Sequence, residues 1–196
     1  IVIACNTASA VAYPYLRDKH PEIPIINVVD PVVAHVGSKI NSKVGIIATR
    51  ATTKSGIYPK KLKRLNPKLH VASAATPLLV GIVEEGFMNT KVSSGAIEAY
   101  LGSKKFSDVT TIILGCTHFP LLQKEIESFY GGRAEVVDSP ELVAHHLKLE
   151  LGKKGLLSPL SEASLQFYVS DKTDAFARIA KMFFGGDINL EERSLG

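Results

Sequence analysis

The feature that most constrains this chain is an alternation: short apolar runs recur between longer amphipathic stretches over nearly all of its 196 residues. The runs Ile1–Ala4, Ile23–Val28, Val44–Ala48, Leu69–Ala72, Val109–Leu114, Ala134–Val137 and Leu165–Val169 have strand length, and most are β-branched or otherwise apolar throughout. That pattern suits strands covered on both faces, whereas strands with one wet face alternate. Strands separated by helix-length segments predict βα units feeding mainly parallel sheets, so the fold class is α/β with helices on both faces.

Helix starts carry their own signals. Asp30-Pro31 and Ser139-Pro140 each place a capping side chain before a proline suited to the first helical turn. Further helices are expected over Thr7–Lys19, Thr52–Leu65, Pro77–Glu85, Lys91–Leu101, Pro120–Tyr130 and Thr173–Phe184, with Gly86, Gly102 and Gly185 near their ends. A hydrophobic content of 45% at this length is enough for one good core or two small ones.

One similarity inside the chain bears on chemistry. Ile1-Val2-Ile3-Ala4-Cys5-Asn6-Thr7 and Ile112-Ile113-Leu114-Gly115-Cys116-Thr117-His118 both run from an apolar strand through a small residue to Cys, then to hydrogen-bonding side chains and a helix. These are the chain's 2 cysteines. Loops after the carboxyl ends of parallel strands form ligand crevices, and helix N-termini there favour anions, so a thiol in such a turn is expected to ionise more readily than usual. Inverting a carbon centre without a cofactor needs a base on one face and a protonated acid on the other, with roles that exchange in the reverse direction. Two like groups in equivalent turns meet that need.

Blander readings apply to each cysteine alone. A free Cys at the end of a buried strand is often a small apolar filler; the shared position and the polar neighbours of both favour chemistry. Cys116, His118, His145 and His146 lack the paired spacing of structural zinc and the three-ligand set of catalytic zinc, so no metal site is read. A disulfide is not needed in a chain of this kind, and both cysteines are read as free thiols. The net charge of +4 owes much to Lys60, Lys61, Lys63, Arg64 and Lys68, read as a solvated helix face without any nucleic-acid-binding motif. No apolar run is long enough for a membrane span and no signal-peptide pattern is visible, so a cytoplasmic location is expected. The first residue, Ile1, reads as a strand already under way, so an upstream segment is expected.

Ala4-Cys5-Asn6-Thr7-Ala8-Ser9 and Gly115-Cys116-Thr117-His118-Phe119-Pro120 resemble the two cysteine motifs of the glutamate racemase family. Gly45–Thr52, the segment Pro77–Gly86, Val137-Asp138-Ser139 and Phe167–Phe184 are similar to further parts of that family. Related aspartate and hydantoin racemases commonly carry His in the first motif and Glu in the second, so Ser9 and His118 favour glutamate. The resemblance implies two similar α/β domains about a pseudo-twofold axis with the substrate between them, here 1–30 plus 145–196 and 31–144.

The resemblance also implies roles. Cys5 would take the proton from D-glutamate and Cys116 from L-glutamate. His118 would assist Cys116, and Glu84 would support the acid–base chemistry, although Glu84 also reads as an exposed helix residue. Asn6, Thr7, Thr49, Thr52 and Thr117 would hold the substrate's carboxylates and amine, although a Thr in such a loop is as often a cap. No pyridoxal phosphate, nucleotide or metal is implied; the product would serve peptidoglycan synthesis in a bacterium, and a homodimer is common in such racemases. The family's Asp-Ser-Gly and Tyr-Gly motifs do not precede Ile1, and they are expected in the intact protein. The alternatives are a racemase of aspartate or another amino-acid derivative, and a noncatalytic binding protein that keeps the fold.

Overall fold

The computed structural model describes residues 1–39, 43–159 and 164–194, which form a mixed α/β structure with parallel sheets. The chain separates into two compact units, Ile1–Lys154 and Gly155–Gly196. In the first unit, β1 (Val2–Ile3), α1 (Asn6–Val11), α2 (Tyr13–Lys19), β2 (Ile26–Asn27) and α3 (Val29–Gly37) lead into β3 (Lys43–Ala48). Next come α4 (Arg50–Ser55), α5 (Ile57–Leu65), β4 (His70–Ala75), α6 (Leu78–Glu84), α7 (Lys91–Leu101) and β5 (Thr111–Gly115). A 3₁₀ turn at Phe119–Leu122, α8 (Gln123–Tyr130), β6 (Glu135–Val137) and α9 (Ser139–Lys153) complete it. Among the described residues β1 pairs with β2, and a separate four-stranded sheet has the order β4-β3-β5-β6, all parallel.

Strand alternation explains how the four-stranded sheet is covered. Val44, Ile46 and Ile113 face one way, into a core with Val32 and Val36 of α3 and Tyr58 and Leu62 of α5. Ile47, Ile112 and Leu114 face the other way, against Leu79 and Ile82 of α6, Ile97 of α7 and Ile126 of α8. Each such fully buried aliphatic side chain contributes about 1.5–3 kcal/mol relative to exposure. The all-apolar strands are thus two-sided, as the sequence pattern predicts.

Several boundaries differ from the sequence expectation. The helix expected over Thr7–Lys19 breaks at Ala12, because Pro14 supplies no N–H and its ring crowds the preceding turn. The helix expected over Thr52–Leu65 breaks at Gly56, whose φ of 65° is left-handed and caps α4. Pro120 confines the chain to a 3₁₀ turn before α8 begins. The caps also shift by residues: Asn27, not Asp30, accepts the Val29 and Asp30 N–H groups on its Oδ1, at 2.9 Å each. Asp138, not Ser139, caps α9 by accepting from the Glu141 N–H at 3.1 Å.

The second unit is a small parallel βαβ element. β7 (Phe167–Val169) pairs with β8 (Leu190–Glu192), and α10 (Asp174–Phe184) lies between them in sequence, capped by the Thr173 hydroxyl. β8 departs from the sequence expectation, since Leu190-Glu191-Glu192 carries no apolar run.

Candidate active site

Both cysteines come after the carboxyl ends of parallel strands. Cys5 stands two residues after β1 and is the N-cap of α1 in extended conformation; it is exposed. Cys116 is the residue immediately after β5 and is 6% exposed. The turns are therefore alike in the chain but unlike in burial.

The residues after Cys5 are tied to the β3–α4 turn. Thr7, Thr49 and Thr52 form a triangle of hydroxyls with all three Oγ1 separations at 3.0 Å. Thr49 also caps α4, accepting the Thr52 N–H at 3.1 Å. Hydroxyls that donate to one another can turn their O–H groups outward to an incoming carboxylate without leaving a buried donor unpaired. Asn6, 6% exposed, accepts the Tyr58 hydroxyl on Oδ1 at 2.6 Å.

The residues around Cys116 form a second cluster. Nδ1 of His118 lies 3.7 Å from the Cys116 sulfur, and Nε2 lies 3.1 Å from Oε1 of Glu84 at the end of α6. With Nε2–H donated to the carboxylate, a neutral imidazole turns its Nδ1 lone pair to the thiol; an imidazolium donates to the thiolate instead. Either state provides a path for a proton between sulfur and the half-exposed carboxylate.

Burial pushes the Cys116 thiol pKa up, and the negative charges of Cys5 and Glu84 push it further. The His118 backbone N–H and the Thr117 side chain oppose this by hydrogen bonding but do not outweigh it. The expectation that the turn would favour the thiolate is therefore overturned for Cys116: desolvation dominates, and the turn leads into a 3₁₀ segment rather than an α-helix N-terminus.

A cavity of about 350 Å³ opens beside Cys116, with Asn6, Thr117 and Ser139 on its wall and an otherwise apolar lining that includes Leu114, Val143 and Leu147. Among the described residues its lining includes neither Cys5 nor the threonine triangle. The structure thus brings Cys116, Thr117, His118 and Glu84 together, and Asn6, Thr7, Thr49 and Thr52 together. Tyr58 is the residue that sequence reasoning missed; a tyrosine in an amphipathic helix carries no sign of a partner 52 positions away.

The profile of the Asp/Glu/Hydantoin racemase family matches residues 1–168. This chain belongs to that family. It is 36% identical over 190 residues to the glutamate racemase of Geobacter metallireducens, covering 96% of this chain and 70% of the relative. The crystal structure of Francisella tularensis glutamate racemase in complex with D-glutamate superposes with a TM-score of 0.92 at 31% identity, over 100% of this chain and 73% of that one. The aspartate racemase of Picrophilus torridus is more distant, with a TM-score of 0.54 at 26% identity over 78% of this chain and 62% of that one. The chain is an isomerase of the amino-acid racemase type, with the α/β fold that its sequence resemblance implies.

Proposed function

We propose that this racemase interconverts L- and D-glutamate with Cys5 and Cys116 as its two acid–base groups and without a cofactor. One thiolate removes the α-proton, and the electron pair of the broken C–H bond is delocalised onto the α-carboxylate. The other thiol delivers its proton to the opposite face of Cα, so turnover ends with the protonation states of the two sulfurs exchanged. The observation that carries this reading is the cavity that Cys116 and Thr117 share with Asn6, the residue after Cys5, beyond two equivalent strand ends. Glutamate as the substrate is supported by the names of the nearer relatives and by the Francisella tularensis complex with D-glutamate.

In this reading His118 relays protons to Cys116 with support from Glu84, while Asn6, Thr7, Thr49, Thr52 and Thr117 hold the substrate's charged groups. The separate β1-β2 pair and the β4-β3-β5-β6 sheet support dividing 1–30 from 31–144, and the assignment of 145–196 to the first domain is part of the proposal. A homodimer in the bacterial cytoplasm that supplies D-glutamate for peptidoglycan belongs to the same proposal.

The test uses the full-length protein that contains this chain. Glutamate of either hand in deuterated water should lose its α-proton NMR signal as optical activity decays, and aspartate should not. Cys5→Ala and Cys116→Ala should each abolish racemisation while the circular dichroism of the fold persists. Wild-type rates in either variant would remove the two-thiol assignment.

A further inference from the structure

Tyr58 sits where the two cysteine turns come together. Its ring is 1% exposed and belongs to the core under α3 and α5. At the far end of that ring, the hydroxyl donates to Oδ1 of Asn6, the residue after Cys5. Along its edge, Cε2 lies where a Cβ on Gly115, the residue before Cys116, would approach to 3.3 Å. One buried side chain therefore abuts both thiol-bearing turns, from a helix that belongs to neither.

The chemistry of the Asn6 amide gives this contact a consequence. A carboxamide can present either its carbonyl or its NH₂ group to a cavity, and rotation by a half-turn exchanges them. Burial raises the Tyr58 phenol further above its ordinary range, so the O–H remains a donor at any working pH. A permanent donor fixes Oδ1 as the acceptor on the protein side. What Asn6 can then offer to the cavity it lines is the pair of Nδ2–H donors, which suit a carboxylate and repel a cation.

We propose that Tyr58 is a positioning residue of the racemase: by donating to Asn6 it holds that amide with its donors toward the substrate and braces the Cys5 turn against Gly115 at the Cys116 turn. The inference rests on the glutamate reading and deepens it, because it assigns an orientation to a substrate-binding amide and names what enforces it.

A double-mutant cycle in the full-length enzyme tests this, with kcat and KM measured separately for glutamate and thermal melting recorded alongside. Tyr58→Phe keeps the ring and removes the donor; kcat/KM should fall about tenfold, the scale of one lost hydrogen bond, with most of the change in KM. Asn6→Ala should show a similar rise in KM. In the Asn6→Ala background, Tyr58→Phe should have no further effect beyond about twofold, because its route to the substrate is already gone.

Additive losses would show that Tyr58 acts through general packing and would overturn the inference. So would a Tyr58→Phe enzyme within about twofold of wild type while Asn6→Ala is impaired, or an Asn6→Ala enzyme with unchanged KM. Should Tyr58→Phe melt below the assay temperature, the cycle is run at a temperature below its melting point, where an undiminished Tyr58→Phe effect in the Asn6→Ala background overturns the inference and its loss supports it. Wild-type protein that does not racemise glutamate would refute the underlying reading, an outcome distinguishable from all of these.

Discussion

Nδ1 of His118 lies 3.7 Å from the sulfur of Cys116, two residues before it in the chain. The same ring meets Glu84 at 3.1 Å through its other nitrogen. Burial disfavours the Cys116 thiolate, and in the proposed mechanism the imidazole would take and return its proton. His118→Asn should therefore lower kcat by on the order of a hundredfold, the lower range for a positioned acid–base group. Glu84→Gln should cost less, about tenfold or under, since its carboxylate is 48% exposed and water can substitute for it. Steady-state racemisation monitored by circular dichroism gives both numbers, and equal activity in wild type and His118→Asn would remove the relay.

Unlike surroundings predict unlike reactivity for the two sulfurs. Cys5 is exposed, whereas Cys116 is buried with its pKa raised. Iodoacetamide reacts with the thiolate and needs access to it, so at about pH 8 Cys5 should be alkylated well before Cys116. Peptide mass mapping over a time course measures this, and saturating glutamate should slow labelling at Cys5 if the substrate occupies the space between the thiols. Faster labelling of Cys116 would contradict its burial.

The residues whose chemistry depends on local pattern were legible in the sequence; those that depend on distant partners were not. A strand ending in a small residue and Cys announces a βα turn by itself, and both turns lie where that pattern puts them. The central strands β3 and β5 were likewise readable because two-sided burial leaves a nearly unbroken apolar run. By contrast, Gly56 and Pro14 split helices whose amphipathic pattern continues across the break. Asn27 took the capping role expected of Asp30 because, from the end of β2, its side chain meets two N–H groups at once. Tyr58 to Asn6 is a contact between two helices that come after strands of different sheets, and no sequence period reports it.

Stability should fall at alkaline pH, and Cys116 is one reason. Its folded pKa is raised above the ordinary value of 9.0, so the folded chain retains a proton that the unfolded chain releases. The stabilisation is complete below pH 9.0 and is lost as pH rises through the folded value, because ionisation then favours the unfolded state. Tyr58, also raised by burial, acts in the same sense at still higher pH. Urea midpoints measured from about pH 7 to 10 should decline in wild type, and the decline should be shallower in Cys116→Ala. An identical slope in both would show that this thiol is not the titrating group.

Gly115 tests whether the Cys116 turn tolerates any added bulk beneath it. A Cβ there would stand 3.0 Å from the Ile47 carbonyl oxygen, 3.0 Å from the Ala48 Cβ and 3.3 Å from the Tyr58 ring. The carbonyl belongs to β3, which is hydrogen-bonded to β5 and cannot retreat without disturbing the ladder. Gly115→Ala should therefore destabilise the fold by about 1–3 kcal/mol, as overpacked cores do. Activity should fall further than stability explains, since the displaced strand end carries Cys116 and presses on Tyr58. Gly81→Ala in α6 is the matched control: a Cβ there meets nothing within 4 Å, and a helix interior gains about 0.5–1 kcal/mol from the exchange. Melting temperature and kcat measured on the two variants should move in opposite directions for stability, with catalysis impaired only in Gly115→Ala; equal behaviour of the pair would mean that the strand end yields freely.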